Sequence, residues 1–175
     1  MTQNVPDFTE LLRGAERTAV HLEMRDVYGV GDEAEDFERF KRTGVHPDAD
    51  PASADWGGWV PLVRETVGRG VVMRRARIVS EPVTEYIRFE HASTPVNVAA
   101  GELVRWLPRS RASDIALPGN DLWLIDDRLI LFHWFTGDGD WAGHEFNEDP
   151  DVVKMVSTAF EAVWERGIPH DQYTV

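Results

Sequence analysis

Apolar and polar residues alternate in several segments of this chain, as they do in strands with one buried face. Alternation from Thr18 to Arg25 predicts the first such strand, and segments at 71–79 and 103–107 predict two more. The longest pattern covers 119–135, GNDLWLIDDRLILFHWF, where two apolar runs flank a pair of aspartates. It predicts two strands joined by a two-residue acidic turn, the first of them apolar on both faces and therefore central in a sheet.

Apolar residues at helical spacing separate these strands. They predict helices from 7 to 15, from 32 to 43, from 61 to near Gly68 or Gly70, and from 150 to 166. A further helix is predicted from Pro82 to His91, with a break at Thr94-Pro95, because proline lacks an N–H donor and disfavours a helical residue before it. The segment 46–58 is rich in Pro, Asp, Ser and Gly, which predicts a long surface loop.

The order of these elements predicts the fold class. The second half reads strand, helix, strand, hairpin and helix, and a strand–helix–strand unit places its two strands in one sheet. We therefore expect an α/β or α+β fold with a mixed central sheet, helices packed on it and a C-terminal helix. The length of 175 residues is typical of one domain, which we expect to cover residues 1–175.

Composition narrows the classes of function. The chain carries 18 basic and 31 acidic residues, a formal charge of −13, which disfavours direct binding to nucleic acid and to anionic membranes. It has no cysteine, which excludes disulfides, thiolate catalysis and cysteine-ligated zinc. Because no signal peptide and no apolar segment of about 20 residues is visible, we expect a cytoplasmic protein.

The predicted hairpin also resembles part of an enzyme site. A half-site of phospholipase D-like enzymes has the pattern His, any residue, Lys, four residues of any type, and Asp. In this chain Asn120, Leu122 and Asp127 occupy the three positions. Asparagine is no nucleophile and leucine cannot bind phosphate, so the resemblance implies a degenerate half-domain. The alternative is an ordinary hairpin with an acidic turn, since similarity of fold alone does not define a function.

Arginines recur between residues 74 and 109. Arg75 and Arg77 share one face of a predicted strand, Arg105 belongs to the next strand, and Arg88 belongs to the helix between them. If these four guanidiniums converge, they can bind a small anion such as phosphate or a carboxylate. They can also be separated by the sheet or form structural ion pairs with nearby glutamates, and the ion-pair interpretation is the more common one.

Two smaller groups contain histidine. Tyr86 and His91 lie on the helix that begins near Pro82, where they could line a cleft, and His91 is the natural general base because histidine titrates near neutral pH. A histidine near a helix C-terminus more often complements the helix dipole. His21 and Glu23 point to one side of the first strand but lack a third ligand, so we predict a solvated strand face and no metal site.

Five segments carry a resemblance to a known family. They are HLEMRDVYGV (21–30), EYIRFEH (85–91), NVAAGELVRWLPR (97–109), LPGNDLWLIDD (117–127) and IPHDQY (168–173). From about residue 6 to 173 the chain resembles an actinobacterial family defined only as a domain of unknown function. Its members are often encoded beside helix-turn-helix regulators, which implies an accessory or regulatory role and such a regulator as a partner. The family supplies no catalytic residues.

Together these observations predict a non-enzymatic accessory or regulatory protein that binds a small anion or a partner protein, without a cofactor. One alternative is a small hydrolase or transferase with His91 as the base, which requires a deep pocket enclosing His91 and the arginines. Another is an interaction module that exposes Trp56 and Trp59 on a flat apolar patch. A homodimer is compatible with all three. The residues expected at a ligand site are Arg75, Arg77, Tyr86, Arg88, His91, Arg105, Asn120 and Asp127.

Overall fold

A mixed sheet organises the computed structural model, which describes residues 7–29 and 31–175. Within those residues the sheet has seven strands, β1 (Thr18–Glu23), β2 (Val72–Val79), β3 (Leu103–Pro108), β4 (Asp121–Ile125), β5 (Leu129–Phe135), β6 (Trp141–Asn147) and β7 (Ile168–Pro169). The strand order is β6-β5-β4-β1-β2-β3-β7. The three strands β1, β2 and β3 are parallel, and every other neighbouring pair is antiparallel.

Helices cover both faces of this sheet. They are α1 (Phe8–Arg13), α2 (Ala34–Thr43), α3 (Trp59–Gly68), α4 (Glu85–Ala100) and α5 (Pro150–Arg166). On one face α1, α3 and α4 contribute to a core with Ala19, Met73 and Trp123. On the other face α5 packs on a core that includes Leu22 and Leu124. The predicted single domain with a mixed sheet and a C-terminal helix is therefore confirmed, and its class is α+β.

The acidic turn of the hairpin between β4 and β5 has a structural role. Asp126 and Asp127 both have positive φ angles, of 53° and 51°, which suit the tight turns that join twisted strands. The Asp126 carboxylate accepts hydrogen bonds from the backbone N–H groups of Arg17 at 2.7 Å and Thr18 at 2.9 Å. This turn therefore holds the beginning of β1 beside the hairpin.

The predicted break at Thr94-Pro95 is wrong, because α4 continues through Pro95. Proline removes one backbone N–H from a helix, and burial of neighbouring side chains offsets that loss here. Val96 is buried against the sheet, and the hydroxyls of Ser93 and Thr94 both donate to the Glu90 carbonyl, at 3.0 Å and 2.7 Å. The helix also begins later than predicted, after Thr84, whose side chain accepts from the N–H of Ile87.

Two strands had no counterpart in the sequence interpretation. They are β6, which carries the exposed Trp141 at one edge of the sheet, and β7, which has only two residues.

The segment 46–58 contains turns but no strand, and it folds back on itself through a hydrogen bond from Trp56 Nε1 to the Asp48 carbonyl at 2.9 Å. None of the helices in the described ranges is long and apolar enough to cross a bilayer.

Candidate ligand-binding pocket

A pocket of about 640 Å³ lies on the face of the sheet that carries α3 and α4. Its floor is formed near the carboxyl ends of β1 and β2, where each strand changes from apolar to polar or charged residues on that face. In β1 the buried Ala19 is followed two and four residues later by His21 and Glu23, and in β2 Met73 is followed by Arg75 and Arg77. On this face of the two strands, the hydrophobic core therefore ends and the polar floor of the pocket begins within a few residues.

Other elements wall this floor. Beyond the four floor residues, the lining side chains are Tyr28, Glu33, Asp36, His46, Asp48, Trp56, Trp59, Tyr86, Phe89, Glu90, Ser93, Asn97, Asp121, His133 and Phe135. Many of the aromatic rings contact one another, such as Tyr28 with Phe135 at 5.2 Å between centroids and His46 stacked on Phe89 at 4.3 Å. The pocket therefore combines aromatic walls with carboxylates, a lining suited to an amphipathic small molecule.

An ion-pair ladder crosses the floor, and we define it as Glu102, Arg75, Glu23, Arg77 and Glu90. Arg75 donates to Glu102 Oε1 at 2.8 Å and to Glu23 Oε1 at 3.0 Å. Arg77 donates to the other oxygen of Glu23 and to the carboxylate of Glu90. Positive and negative side chains thus alternate from one end of the ladder to the other, and the register that places His21 beside Arg75 and Glu23 beside Arg77 sets this arrangement.

The groups of this ladder have further partners. Arg77 donates to the Thr94 hydroxyl at 3.0 Å, and its guanidinium lies 4.9 Å from the centre of the Trp106 ring. Glu102 accepts from the Asn97 amide at 2.8 Å, and Glu90 accepts from the Tyr86 hydroxyl at 3.1 Å. Most hydrogen-bond donors of both arginines are therefore used within the protein. For Arg75 and Arg77 the structure thus agrees with structural ion pairs, the alternative to an anion site.

The pKa values of these groups follow from their pairing. Burial alone would raise the pKa of Glu23, but Arg77 and Arg75 hold it well below its usual range. Burial alone would lower the pKa of Arg77, but Glu23 and Glu90 raise it. Each partner thus stabilises the charged form of the other, and Glu23 and Arg77 are both ionised at neutral pH.

The pocket as a whole is acidic. Its lining contains six carboxyl groups and two guanidiniums, and its three histidines have pKa values lowered chiefly by burial, to about 4 in His133. Burial and the neighbouring Glu90 raise the pKa of Glu33 to about 7, although Arg77 acts to lower it. After burial, which is the largest cause, the carboxylates of Glu90, Asp36 and Glu23 contribute to this rise.

His21 is a buried polar side chain of the floor whose hydrogen-bonding groups are free. Its ring stacks on Trp123 at 4.3 Å with an interplanar angle of 14°. Nδ1 is completely enclosed and has no hydrogen-bond partner among residues 7–29 and 31–175, and Oε1 of Glu23 lies 3.7 Å from it. Burial lowers the pKa of His21 well below its usual value, although Glu23 acts to raise it, so the ring is neutral at neutral pH.

Within the described parts of the chain, no group of three His, Asp or Glu residues is arranged to hold a metal ion.

The structure brings together only part of the predicted arginine group. Arg75, Arg77 and Tyr86 line the pocket. Arg105 lies on the opposite face of the sheet, where it donates to the Trp164 carbonyl at 2.7 Å and its guanidinium lies 4.5 Å from the Trp164 ring centre. Arg88 is exposed on α4 and does not line the pocket. The sheet therefore separates Arg105 from Arg75 and Arg77, so the four guanidiniums do not converge on one site.

The remaining predicted site residues lie outside the pocket. His91 Nε2 bonds to the carbonyl of Tyr173 at 2.9 Å, so this nitrogen carries a proton, and burial lowers the pKa of the ring. The hydrolase alternative requires a pocket that encloses His91 together with the arginines. His91 does not line the pocket that contains Arg75 and Arg77. Asn120 and Asp127 are exposed at opposite ends of β4, and Asp127 accepts from the Ser157 hydroxyl at 2.9 Å.

Two interpretations of the sequence need correction. His21 and Glu23 were predicted to form a solvated strand face, but both are largely enclosed, because α4 and the aromatic walls cover this part of β1. A signal for this was present, since His21-x-Glu23 and Arg75-x-Arg77 have the same spacing and complementary charges. Trp56 and Trp59 were predicted as exposed aromatics, but both are half-buried and line the pocket instead of a flat patch.

The buried Asp121 predicts a specific pH dependence of stability. Burial raises its pKa to about 6, although hydrogen bonds from the Tyr28 hydroxyl and the Met24 N–H act to lower it. The folded protein therefore binds this proton more tightly than the unfolded chain, and the associated stability is lost as the pH rises through about 6. We expect Asp121→Asn to gain stability relative to the wild type as the pH rises from about 4 to about 7.

Denaturant unfolding of both proteins across this pH range measures the effect. The matched control is Asp127→Asn, because Asp127 is exposed in the hairpin turn and asparagine tolerates its positive φ. Because water screens an exposed carboxylate, its difference from the wild type should vary less with pH than that of Asp121→Asn. A pH-independent difference for Asp121→Asn would show that Asp121 ionises in the folded protein as it does in the unfolded chain.

Comparison with known proteins places the chain in a family. Residues 6–175 match the family described as "Domain of unknown function (DUF6879)", and the chain belongs to this family. The resemblance to a family of unknown function is thereby confirmed. No curated protein matches the chain.

Two solved structures are distantly similar. One is TrmBL2, an archaeal chromatin protein, with 13% identity, a TM-score of 0.48 and coverage of 91% of this chain and 47% of that chain. This chain therefore spans about half the length of TrmBL2. The other is Nuc, a phospholipase D family member from Salmonella typhimurium, with 10% identity, a TM-score of 0.47 and coverage of 92% of this chain and 86% of that chain.

Proposed function

We propose that this protein is an accessory protein that binds a small organic cation in the pocket between α4 and the sheet. The observation that supports this proposal is the charge of the lining, where carboxylates exceed guanidiniums and both guanidiniums are already paired within the ladder. A cation entering the pocket meets a negative potential, whereas an anion meets mutually compensated arginines and additional carboxylates.

The walls suit the same class of ligand. A pocket of about 640 Å³ is within the usual size range for small-molecule sites. The rings of Tyr28, Trp56, Trp59 and Phe135 line it, and aromatic faces attract ammonium groups through their quadrupoles, most strongly when water is excluded. An ammonium group attached to an apolar or aromatic body therefore satisfies both the carboxylates and the walls.

The anion predicted from the arginine pattern has no supporting contact, because each arginine that reaches the pocket is bound by glutamates. A regulatory role beside a helix-turn-helix protein rests on the family resemblance alone. It is compatible with the present proposal, since a protein that senses a small cation can pass that information to a partner. Cytoplasmic location and homodimerisation stay predictions of the sequence analysis.

The proposal predicts that the protein distinguishes ligands of one shape by their charge. We expect 2-phenylethylammonium to raise the melting temperature in a concentration-dependent way, because a ligand that binds only the folded state stabilises it. The neutral 2-phenylethanol should have a weaker effect, and the anionic 3-phenylpropionate should have none. The measurement is thermal unfolding at constant ionic strength and about pH 8, where Glu33 is ionised and an alkyl ammonium keeps its proton.

Variants on and beside the pocket locate the binding. Glu33→Gln combined with Asp36→Asn removes two carboxylates of the lining and should weaken stabilisation by 2-phenylethylammonium. Glu35→Gln, which changes an exposed residue of the same region outside the lining, should leave it unchanged. Equal stabilisation by the ammonium and the carboxylate, or none by either, would overturn the proposal of a cation site.

A further inference from the structure

The tautomer of His21 determines what the floor of the pocket can recognise. A neutral imidazole carries one N–H and one lone pair. A carboxylate beside one nitrogen favours the proton on that nitrogen, and Glu23 Oε1 is the oxygen 3.7 Å from Nδ1. The proton therefore belongs on Nδ1, and Nε2 carries the lone pair.

This lone pair has no partner in the part of the chain that the structure describes. Nε2 makes no hydrogen bond with any described residue, and unlike Nδ1 it is not completely enclosed. His21 itself is only 8% exposed and lines the pocket, so the space that Nε2 can reach is pocket space. A buried side chain that keeps one accessible acceptor without a protein partner can offer that acceptor to a ligand in the pocket.

The stacking of the ring fixes the direction of this acceptor. One face of His21 lies on Trp123, and the ring of His133 approaches it edge-on with 5.9 Å between centroids and an angle of 63°. The bulky neighbour on the adjacent strand prevents the ring from turning freely, because Trp123 is directly opposite His21 in the β1–β4 register. The acceptor is therefore positioned before a ligand arrives.

We propose that His21 Nε2 accepts a hydrogen bond from the ammonium N–H of the ligand, so that the pocket selects protonated primary, secondary or tertiary amines over quaternary ammonium ions. This inference rests on the proposed function and specifies the chemical class of the cation. Aromatic walls and carboxylates alone attract both kinds of ammonium, because neither interaction requires an N–H. His21 adds the requirement for a donor.

A methylation series of 2-phenylethylammonium tests this requirement. The probes are the primary amine and its N-methyl, N,N-dimethyl and N,N,N-trimethyl forms, which have no other hydrogen-bond donor. Each step adds one methyl group, but only the last removes the final N–H. We expect calorimetric dissociation constants to change gradually over the first two steps and to rise about tenfold at the last, as for the loss of a hydrogen bond to a charged group.

The same series measured on variants assigns the effect. His21→Phe keeps an aromatic ring against Trp123 and removes both nitrogens, so the tenfold step should disappear while the trimethyl probe still binds within about threefold of its wild-type affinity. His133→Phe, a matched change of a neighbouring lining histidine, should keep the step. Loss of the step in His133→Phe but not in His21→Phe would assign the acceptor to His133 and overturn the inference.

Wild-type outcomes separate this inference from the proposal on which it rests. If the wild type binds all four probes with a smooth trend, the cation site stands and the hydrogen bond to His21 is wrong. If it binds none, the cation site itself is wrong.

A measurement that needs no variant is the long-range ¹H–¹⁵N spectrum of the histidine side chains, in which we expect protonated Nδ1 in His21 and a shift of Nε2 on addition of 2-phenylethylammonium. A proton on Nε2 in the free protein would overturn the inference.

Discussion

Arg77→Met is expected to lower the free energy of unfolding by about 3–5 kcal/mol, as for removal of one partner from a buried ion pair. The Arg77 side chain is only 6% exposed and pairs with both Glu23 and Glu90. Methionine nearly preserves the volume of the side chain but leaves the two carboxylates without their shared cation. Denaturant unfolding at neutral pH measures this cost, which should shrink at acidic pH because protonation removes the negative charge that Arg77 balances in the wild type.

An exposed ion pair provides the control for this prediction. Arg128 and Glu148 are paired at 2.7 Å, but their side chains are 67% and 60% exposed. Because water screens such a pair, Arg128→Met should cost no more than about 1 kcal/mol. Similar costs for Arg77→Met and Arg128→Met would mean that water reaches the ladder and that the floor of the pocket is not a low-dielectric site.

Most of the fold could be predicted because its signals are local. The hairpin at 119–135 combines apolar runs with two aspartates that tolerate positive φ, and the structure places β4, the turn and β5 there. Pro150 at the start and Gly167 at the end delimit α5 in the sequence as they do in the structure. By contrast, β6 and β7 lie at the edges of the sheet, where partial burial leaves a weak hydrophobic pattern.

The candidate site was harder to predict because it depends on the pairing of distant strands. Alternation shows that Arg75 and Arg77 share a face, but the face of Arg105 follows from the β2–β3 register, which places it beside Ala76. A shift of one residue in a strand moves its side chains to the other face of the sheet. The burial of His21 likewise depends on α4, which begins more than sixty residues later in the chain and covers the carboxyl ends of β1 and β2.

Leu124→Ala is expected to destabilise the protein by about 2–5 kcal/mol, as for truncation of a buried leucine. Leu124 is 1% exposed in the central strand β4, between Val20 of β1 and Ile130 of β5, and belongs to the core beneath α5. The cost comes from lost apolar burial and from a cavity, so it should hardly vary with pH, unlike that of Arg77→Met.

Leu103→Ala is the matched control, because it removes the same atoms from a strand position that is 53% exposed and should cost less than about 1 kcal/mol. Denaturant unfolding compares the two variants with the wild type. A near-zero change for Leu124→Ala would place β4 at the surface of the protein. Since β4 joins the parallel strands to the hairpin, that result would contradict the strand order and, with it, the position of Asp121 and Trp123 beside the pocket.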